Sequence, residues 1–489
     1  MAAAMTARNK QCFALVLAVA TLTIIWTMRF LGPNHHVITG KIIPYAKAAY
    51  SHISPQQTIR TVDLSRLQKH VKTEDFSYAH RTIRTKLFTG ERPTLTKINE
   101  PLFGTPLRMS QDDLEGIPLL ELEPIELAVP RSPVADTSIM SFSIATGVDR
   151  LERADQLLHW LPNTGAQLHV LSPPSDDALT VEHKLREQGL NLTIHNSDLP
   201  FPKAYFYGLK ELYQARTPNT QWLVLMDDDT FIPSLPYLVD HLNTNYDATK
   251  EVMVAAVSDN IDQVKTFGLI PFGGGGIFFS VPLAAALVQD KIWDKCMAID
   301  LNQGDGIVND CLNHYSATRP SFDPGLNQMD FSGDAGGYFE SGRRMLTIHH
   351  WKTWYHVDMP MAANISKACG FECVFQRFQF DDNIVLSNGY SIVEYPKGIE
   401  DEDADGNKLV DLGKVELTWA GSKGQYEHHI GPLRDRLGKE EKKTMRLVET
   451  EVLPGKGVRQ TYVERVEDTE SVENAFKMDR VVELLWLNP

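Results

Sequence analysis

Positive charge is scarce in this chain of 489 residues, in which 48 lysines and arginines stand against 63 aspartates and glutamates. The resulting net charge of −15 argues against a nucleic-acid-binding surface, because such a surface needs clustered basic side chains. The chain also lacks a Gly-x-x-x-x-Gly-Lys-Ser/Thr loop, which counts against phosphatases and nucleotidyltransferases that depend on one. No internal repeat is present, and the length suffices for two or three domains.

One apolar run near the N-terminus predicts the cellular compartment. The uncharged segment Cys12–Met28 has 17 residues, the short end of the roughly 17–25 that a membrane span needs. A cleaved signal peptide is one interpretation, since Ala18–Ala20 resembles a cleavage site, but that site lies within the run. We favour an uncleaved signal anchor, with Arg8 and Lys10 holding residues 1–11 in the cytosol. This predicts a single-pass type II protein of the Golgi or ER membrane, because a short span suits thin early secretory membranes.

Two glycosylation acceptor triplets agree with a lumenal body for this protein. They begin at Asn191 and Asn364, and neither has proline in the middle position. Each triplet is weak by itself, because such triplets also arise by chance. Together with the apolar run they favour a lumenal location for the residues that follow the anchor.

The chain has five cysteines, of which Cys12 lies in the predicted span. The other four form two local groups, Cys296 with Cys311 and Cys369 with Cys373. In an oxidising lumen the local pairs are the simplest of the three possible connectivities. Four buried free thiols are the alternative, and a zinc site at Cys369 and Cys373 is weaker because no second close pair follows.

The composition divides the lumenal part into three regions. Residues 29–134 are predicted to be a lumenal stem, an extended and partly ordered linker without a long helical or strand period. Residues 135–396 are predicted to form the catalytic domain, and residues 397–489 a small β-rich extension of unknown role. The stem is marked by seven prolines: Pro93, Pro101, Pro106, Pro118, Pro124, Pro130 and Pro133.

Strand and helix patterns alternate at the start of the predicted catalytic domain. This order favours an α/β fold with a mostly parallel sheet that helices cover on both faces. Ligands bind such sheets beyond the carboxyl ends of the strands, where Thr146, Gly147 and Asp227–Asp229 would lie. The predicted elements are strands at 139–146, 168–171, 192–195 and 222–226 and helices at 150–160, 181–188 and 204–215.

Three consecutive carboxylates follow the apolar strand Trp222–Met226. Adjacent carboxylates repel one another, so a divalent cation with oxygen ligands is the obvious partner. Side chains alternate in an extended segment, so Asp227 and Asp229 would share one face while Asp228 takes the other. The alternative interpretation is a solvated acidic turn.

Three later features could complete a site with these acids. The glycine run in Phe272–Ser280 suits a close approach of backbone to a ligand, or else a flexible hinge. Asp305, flanked by two glycines at an apparent helix start, is either an N-cap or an exposed general base. His349 and His350 end a predicted strand and could add a metal ligand, whereas Asp334 reads as structural.

The order of these motifs carries a family resemblance. The strand with Asp227–Asp229 precedes Gly-Gly-Gly-Gly-Ile-Phe-Phe-Ser at 273–280, then Gly-Asp-Gly at 304–306, then His-His at 349–350. Over residues 137–396 the chain resembles the Fringe-related β-1,3-glycosyltransferases of glycosyltransferase family 31, particularly their fungal and plant branch. The anchor and stem resemble the type II Golgi layout of that family.

The resemblance implies a GT-A type fold, a Rossmann-like mixed sheet, and an inverting transfer from a UDP-sugar. It implies Mn²⁺ or Mg²⁺ as cofactor, a glycan or glycoprotein acceptor and a β-1,3 linkage. The protein is expected to contact the membrane through its anchor, and nucleic acid is not expected as a partner. A non-catalytic sugar-binding or chaperone-like relative is the alternative, which loss of the acidic motif would favour; all three acids are present.

The resemblance also implies a role for each candidate residue. Asp227, Asp228 and Asp229 correspond to the Asp-x-Asp motif, with Asp229 the direct metal ligand and either His349 or His350 the second. Asp305 corresponds to the catalytic base, as expected when one carboxylate apart from the metal must deprotonate the acceptor hydroxyl. The residues expected around the nucleotide are Thr146, Gly147 and Arg150, and those expected around donor sugar and acceptor are Gly274, Gly275 and Gly276.

Overall fold

The computed structural model describes residues 58–352, 354–399, 410–466 and 478–488. The predicted cytosolic tail and membrane anchor, residues 1–28, therefore lie outside the described residues. In the described part of the chain, no helix combines the length and the apolar character that a membrane crossing requires.

Strands and helices alternate through most of the described residues. The strands are β1 Thr58–Val62, β2 Asp75–Phe88, β3 Thr96–Ile98, β4 Leu107–Ser110, β5 Ile117–Glu121, β6 Ile125–Pro130, β7 Met140–Ala145, β8 Gln167–Ser172, β9 Leu192–Asn196, β10 Trp222–Leu225, β11 Met253–Ala256, β12 Phe272–Ser280, β13 Pro320–Phe322, β14 Leu326–Asn327, β15 Thr347–Ile348, β16 Arg377–Phe380, β17 Ile384–Ser387, β18 Ser391–Glu394, β19 Val415–Glu416, β20 Leu433–Arg434, β21 Lys443–Leu453, β22 Gly457–Glu464 and β23 Asp479–Leu487. The α-helices are Val148–Leu151, Leu157–Trp160, Ala178–Glu187, Phe201–Ala215, Leu235–Asn245, Ile261–Phe267, Val281–Leu287, Asp290–Met297, Gly304–Tyr315, Gly336–Phe339, Met359–Ala363, Ser366–Cys369 and Lys423–Ile430, and the 3₁₀ helices are Ser65–His70, Thr137–Ile139 and Phe371–Cys373.

A seven-stranded mixed sheet forms the centre of the predicted catalytic domain. Its strand order is β13-β11-β12-β10-β7-β8-β9, and only β12 runs antiparallel to its neighbours. Strands β7, β8, β10 and β11 are buried along nearly their whole length because helices cover both faces. This burial explains why β10 and β11 are apolar throughout. The predicted α/β class and mostly parallel sheet are confirmed, and the carboxyl ends of six strands meet at one edge.

One predicted helix is interrupted. The apolar period at 150–160 predicts a continuous helix, but the structure has two short helices, Val148–Leu151 and Leu157–Trp160. Gln156 lies at the interruption, and its side-chain amide donates a hydrogen bond to the carbonyl oxygen of Asp228. The break therefore places a polar side chain against the acidic loop.

A second, larger sheet joins the regions predicted to be stem and C-terminal extension. Its order is β3-β16-β17-β18-β21-β22-β23-β2-β4, with β6 also paired to β2. The predicted linker character of residues 29–134 is therefore not what the structure has over residues 58–134. Strand β2 pairs in parallel with β23, from Phe76 opposite Asp479 to Arg84 opposite Leu487. Paired strands that lie about 400 residues apart in the chain are not joined by a turn, so no local sequence pattern marks their pairing. The proline-containing segment therefore resembles a linker in the sequence.

Both predicted disulfide pairs are present, in place of the free-thiol and zinc alternatives. The Cys296–Cys311 disulfide ties the helix Asp290–Met297 to the helix Gly304–Tyr315. The second disulfide joins Cys369 to Cys373. In the chain-entropy treatment, closing a loop of about 15 residues, as the first disulfide does, stabilises the folded state by roughly 3 kcal/mol. The first disulfide thus restrains the helix that begins at the predicted base.

Candidate active site

The predicted acids lie at the edge where the parallel strands end. Asp227–Asp229 follow β10, and Thr146 follows the neighbouring strand β7. A cavity of about 440 Å³ opens between these strand ends. It is lined by Ala145, Thr146, Gly147, Arg150, Phe201, Asp227, Asp228, Asp229, His349, His350 and Trp354. The nucleotide-pocket, acidic and histidine residues selected from the sequence therefore share one cavity.

Asp228 points away from the other two acids of the run, as predicted, although Asp228 and Asp229 lie in a turn after β10 rather than in an extended segment. Its Oδ2 accepts a hydrogen bond from the Thr146 hydroxyl, and its Oδ1 lies 2.6 Å from the Arg150 guanidinium. The hydrogen bond to Asp228 raises the pKa of Arg150. Asp228 therefore holds Arg150 at the cavity, where most of the guanidinium side chain remains exposed.

His349 lies between Asp227 and Asp229. Its Nε2 is 3.2 Å from Asp227 Oδ2 and 3.1 Å from Asp229 Oδ1, and its Nδ1 is 3.3 Å from the Gln328 carbonyl oxygen. Burial lowers the pKa of His349, but the two carboxylates more than offset this and raise it to about 10. Burial has the opposite effect on Asp229 and raises its pKa, but the hydrogen bond to His349 and the charge of that ring lower the pKa below its ordinary value. A positive group between the two acids is therefore electrostatically favourable.

This donor set suits a divalent cation. The Gln328 carbonyl accepts the Nδ1 proton of His349, which leaves Nε2 as the nitrogen that faces both carboxylates. Ligand atoms of Asp229, His349 and His350 all lie within 4.8 Å of one another. Carboxylate oxygens suit Mn²⁺ and Mg²⁺, and a neutral imidazole nitrogen is the commonest metal ligand in proteins.

His350 is held from two sides. Its ring stacks on Trp354 with centroids 3.8 Å apart and planes 5° apart. Its Nε2 lies 3.5 Å from Asp330 Oδ1, and its backbone has a φ of 54°, which is uncommon for a non-glycine residue. His350 thus borders the cavity in a constrained conformation.

The glycine run supports the site from behind. A Cβ on Gly274 would lie 2.1 Å from the His349 ring, and one on Gly275 would lie 2.3 Å from the Ala256 methyl. Gly276 has a φ of +95°, which favours glycine. All of β12 is buried, and among the described residues the cavity lining does not include these glycines. Close packing, rather than a hinge, explains the run, because glycine lets the His349 ring lie against the strand.

Asp305 lies on the other side of this strand, at the start of the helix Gly304–Tyr315. It is half-buried, and its carboxylate accepts backbone N–H groups of Gly306 at 2.8 Å and Gly273 at 3.4 Å. Burial raises the pKa of Asp305, and the charge of Asp227 adds to the rise. The carboxyl group is therefore separate from the acid–histidine cluster but within its electrostatic field.

Tyr205 lies next to Asp305 on the far side of β12, and the sequence does not reveal this position. Its hydroxyl is buried and has no hydrogen-bond partner among the described residues. Burial raises its pKa strongly, and Asp227 and Asp305 both contribute, so the phenol lies near both carboxylates. A Cβ on Gly273 would come within 2.5 Å of the hydroxyl. Its only sequence signal is a place in a predicted helix.

Other supporting residues also escape detection in the sequence. The indole Nε1 of Trp351 donates to the backbone carbonyl of Asp229 at 2.5 Å, and Trp354 and Asp330 flank His350. The one indication of Trp354 in the sequence is that it closely follows the histidine pair. Asp330 lies 20 residues before His350, and no sequence pattern links it to the site.

Comparisons with known proteins give limited likenesses. Residues 263–392 match a family model described as "Protein of unknown function, DUF604". No curated protein matches the chain. Similar solved structures include mouse xyloside xylosyltransferase 1, at 13% identity over 45% of this chain and 97% of that chain, with a TM-score of 0.29. The glycosyltransferase GlyE of Streptococcus pneumoniae TIGR4 shares 13% identity over 37% of this chain and 44% of that chain, with a TM-score of 0.26.

A third similar structure is 4-diphosphocytidyl-2C-methyl-D-erythritol synthase from Anaerococcus prevotii DSM 20548. It shares 12% identity over 38% of this chain and 88% of that chain, with a TM-score of 0.27. This chain spans less than half of GlyE but most of the other two proteins. Proteins named as glycosyltransferases are thus among its partial likenesses, and the site itself must carry any functional argument.

Proposed function

We propose that this protein is a metal-dependent, inverting glycosyltransferase that moves a sugar from a UDP-sugar to a glycan or glycoprotein acceptor, forming a β-1,3 linkage. The observation that carries the proposal is the placement of His349 Nε2 between Asp227 and Asp229 in the strand-end cavity. In a sheet with parallel strands this edge is where nucleotides bind. The fold is proposed to be of the GT-A type.

The acids and histidine would hold the metal. Asp229 and His349 are assigned as ligands, with Asp227 beside them, and His350 is the remaining candidate. When bound there, Mn²⁺ or Mg²⁺ would supply Lewis-acid stabilisation of the negative charge that develops on the diphosphate of the donor. Arg150, exposed at the cavity and oriented by Asp228, adds a fixed positive charge for the same diphosphate.

Asp305 is assigned as the base that removes the proton of the acceptor hydroxyl. An inverting transfer needs a base on the face opposite the leaving group, and Asp305 is a carboxylate that stands apart from the acid–histidine cluster, across β12. Its raised pKa brings it closer to the basicity such a proton transfer needs. An intact acid–histidine cluster, together with a separate carboxylate across β12 that is proposed to act as the base, favours catalysis over a purely sugar-binding role.

A ligand screen tests the function directly. In the presence of Mn²⁺, at least one UDP-sugar should raise the melting temperature, because ligand at 100 times its Kd stabilises by about 2.7 kcal/mol. EDTA should abolish the shift, and the active UDP-sugar should release UDP when acceptor glycans are added. A shift with nucleoside triphosphates but with no UDP-sugar would point to a nucleotidyltransferase instead.

The body of the protein is proposed to be lumenal, behind a Golgi or ER anchor at residues 12–28. Asn191 is exposed just before β9, whereas Asn364 is half-buried at the end of the helix Met359–Ala363. Endoglycosidase treatment of protein expressed through the secretory route should lower its mass, and Asn191→Gln should remove most of that change. Asn364→Gln serves as the matched control. Absence of any mass change in the parent protein would contradict the lumenal topology.

A further inference from the structure

A buried aspartate–histidine pair lies behind the candidate site and contributes nothing to the roles assigned above. Asp259 follows β11 at the same sheet edge, and its Oδ1 is 2.5 Å from Nδ1 of His429. The Asp259 side chain is fully buried, and that of His429 is 4% exposed. A carboxylate only accepts, so the imidazole Nδ1 carries the proton. His429 belongs to the helix Lys423–Ile430, in the C-terminal region that the sequence leaves without a role.

The second oxygen of Asp259 leads to the histidine pair. Its Oδ2 accepts the backbone N–H of Met329 at 2.5 Å. Gln328 precedes Met329, and its carbonyl oxygen lies 3.3 Å from Nδ1 of His349. The residue after Met329, Asp330, lies 3.5 Å from Nε2 of His350. This backbone hydrogen bond is one of the contacts that anchor the short segment that touches both histidines. The others include the Gly275 N–H, which donates to Gln328 Oε1 at 2.9 Å, and the Ser258 hydroxyl, which donates to Asp330 Oδ2.

The segment needs such an anchor because its backbone is strained. Met329 has a φ of +62°, in the left-handed region that non-glycine residues seldom occupy. The Tyr355 hydroxyl lies 3.2 Å from the Met329 carbonyl oxygen and 2.7 Å from that of His349, which ties the two strained stretches together. Strain of this kind persists only where surrounding contacts hold it.

The helix that carries His429 is itself firmly docked on this edge. The Ile430 carbonyl accepts a hydrogen bond from Arg343 at 2.5 Å, and Gln425 donates to Asp262 at 2.7 Å. His428 lies 3.1 Å from the Ser258 carbonyl oxygen. The position of His429 is therefore set independently of the metal ligands.

We propose that His429 is a positioning residue: by orienting Asp259 it holds Gln328–Asp330, and through them His349 and His350, in metal-binding geometry. The C-terminal region is then a part of the metal centre rather than an appendage. This inference rests on the proposed function, since it assumes that the histidine pair serves a metal.

Mn²⁺ binding without any sugar substrate tests the inference. The full-length protein and its His429→Leu variant are titrated with Mn²⁺ alone, and the EPR signal of free Mn²⁺ yields the dissociation constant. Loss of the donor should weaken Mn²⁺ binding about tenfold or more, the usual effect of removing a support of a metal ligand. His429→Asn should retain most of the affinity, because its amide nitrogen is as many bonds from Cα as Nδ1 of histidine.

A control on the same helix separates positioning from general stability. Ile430 is buried, so Ile430→Val should lower the melting temperature but leave Mn²⁺ affinity unchanged. If His429→Leu does not fold, His429→Met takes its place, since methionine packs adaptably and has no donor.

Three outcomes would overturn the inference. Equal Mn²⁺ affinity in the parent protein and the folded His429→Leu or His429→Met variant would overturn this inference but not the proposed function. Equal weakening in Ile430→Val or in His429→Asn would show a role in stability without positioning. Absence of Mn²⁺ binding by the parent protein would instead overturn the metal assignment of the proposed function, and this inference with it.

Discussion

Replacing Asp229 by alanine should remove nearly all Mn²⁺-stimulated turnover of the UDP-sugar donor. The carboxylate is one of the two that bracket His349 Nε2, and its ligand atom lies within 4.8 Å of those of both histidines. A metal ion contributes several kcal/mol of charge stabilisation in such a transfer, and each 1.4 kcal/mol is about tenfold in rate. The rate should therefore fall about a thousandfold or more, measured as initial UDP release across a Mn²⁺ titration.

The neighbouring carboxylate is the matched control for this variant. Asp228→Asn changes the same loop, but its side chain faces Thr146 and Arg150 rather than His349. It should weaken donor binding through a looser Arg150 while leaving Mn²⁺ affinity nearly unchanged. Near-normal Mn²⁺-dependent activity in Asp229→Ala would refute the metal assignment.

Replacing Asp305 by asparagine should remove sugar transfer and leave UDP affinity largely intact. Asparagine keeps the shape of the side chain and can still accept the Gly306 N–H, but it cannot take a proton at working pH. Positioned general bases contribute typically about 10²–10⁴-fold, so kcat should fall by that factor while the Kd for UDP with Mn²⁺ changes little. Isothermal titration and single-turnover assays separate the two quantities.

The pH profile gives a second readout for the same residue. Burial and then the charge of Asp227 raise the pKa of Asp305, and a base works only when deprotonated. The kcat/KM should thus decline as pH falls through a value above the ordinary range of aspartate, and this limb should vanish in Asp305→Asn. Asp310→Asn, on the same helix, should leave both quantities unchanged. If UDP affinity and turnover fell together in Asp305→Asn, the carboxylate would instead be a structural acceptor for Gly273 and Gly306.

Local sequence patterns predict the parts of the site that lie on single elements. The apolar run before Asp227 predicts a buried strand, and the alternation of an extended chain predicts that Asp228 faces away, as the structure has it. The strand–helix order predicts the parallel sheet and hence the edge where the acids and Thr146 meet. Cysteine spacing predicts both disulfides.

Contacts between distant parts of the chain are not predicted in the same way. The sequence leaves His349 and His350 equivalent, but only His349 contacts both acids, because the left-handed backbone of His350 turns its ring towards Trp354 and Asp330. The glycine run reads equally as a hinge until the His349 ring is seen against it.

The sequence by itself determined the acidic motif, the sheet that presents it and the pairing of cysteines, because each depends on residues close together in the chain. Only the tertiary structure decided that residues predicted as stem and extension share one sheet, and that His429 lies behind the histidine pair. The physical reason is that a period of two or 3.6 residues sets which face a side chain takes, whereas the partner of that face depends on how the whole chain packs.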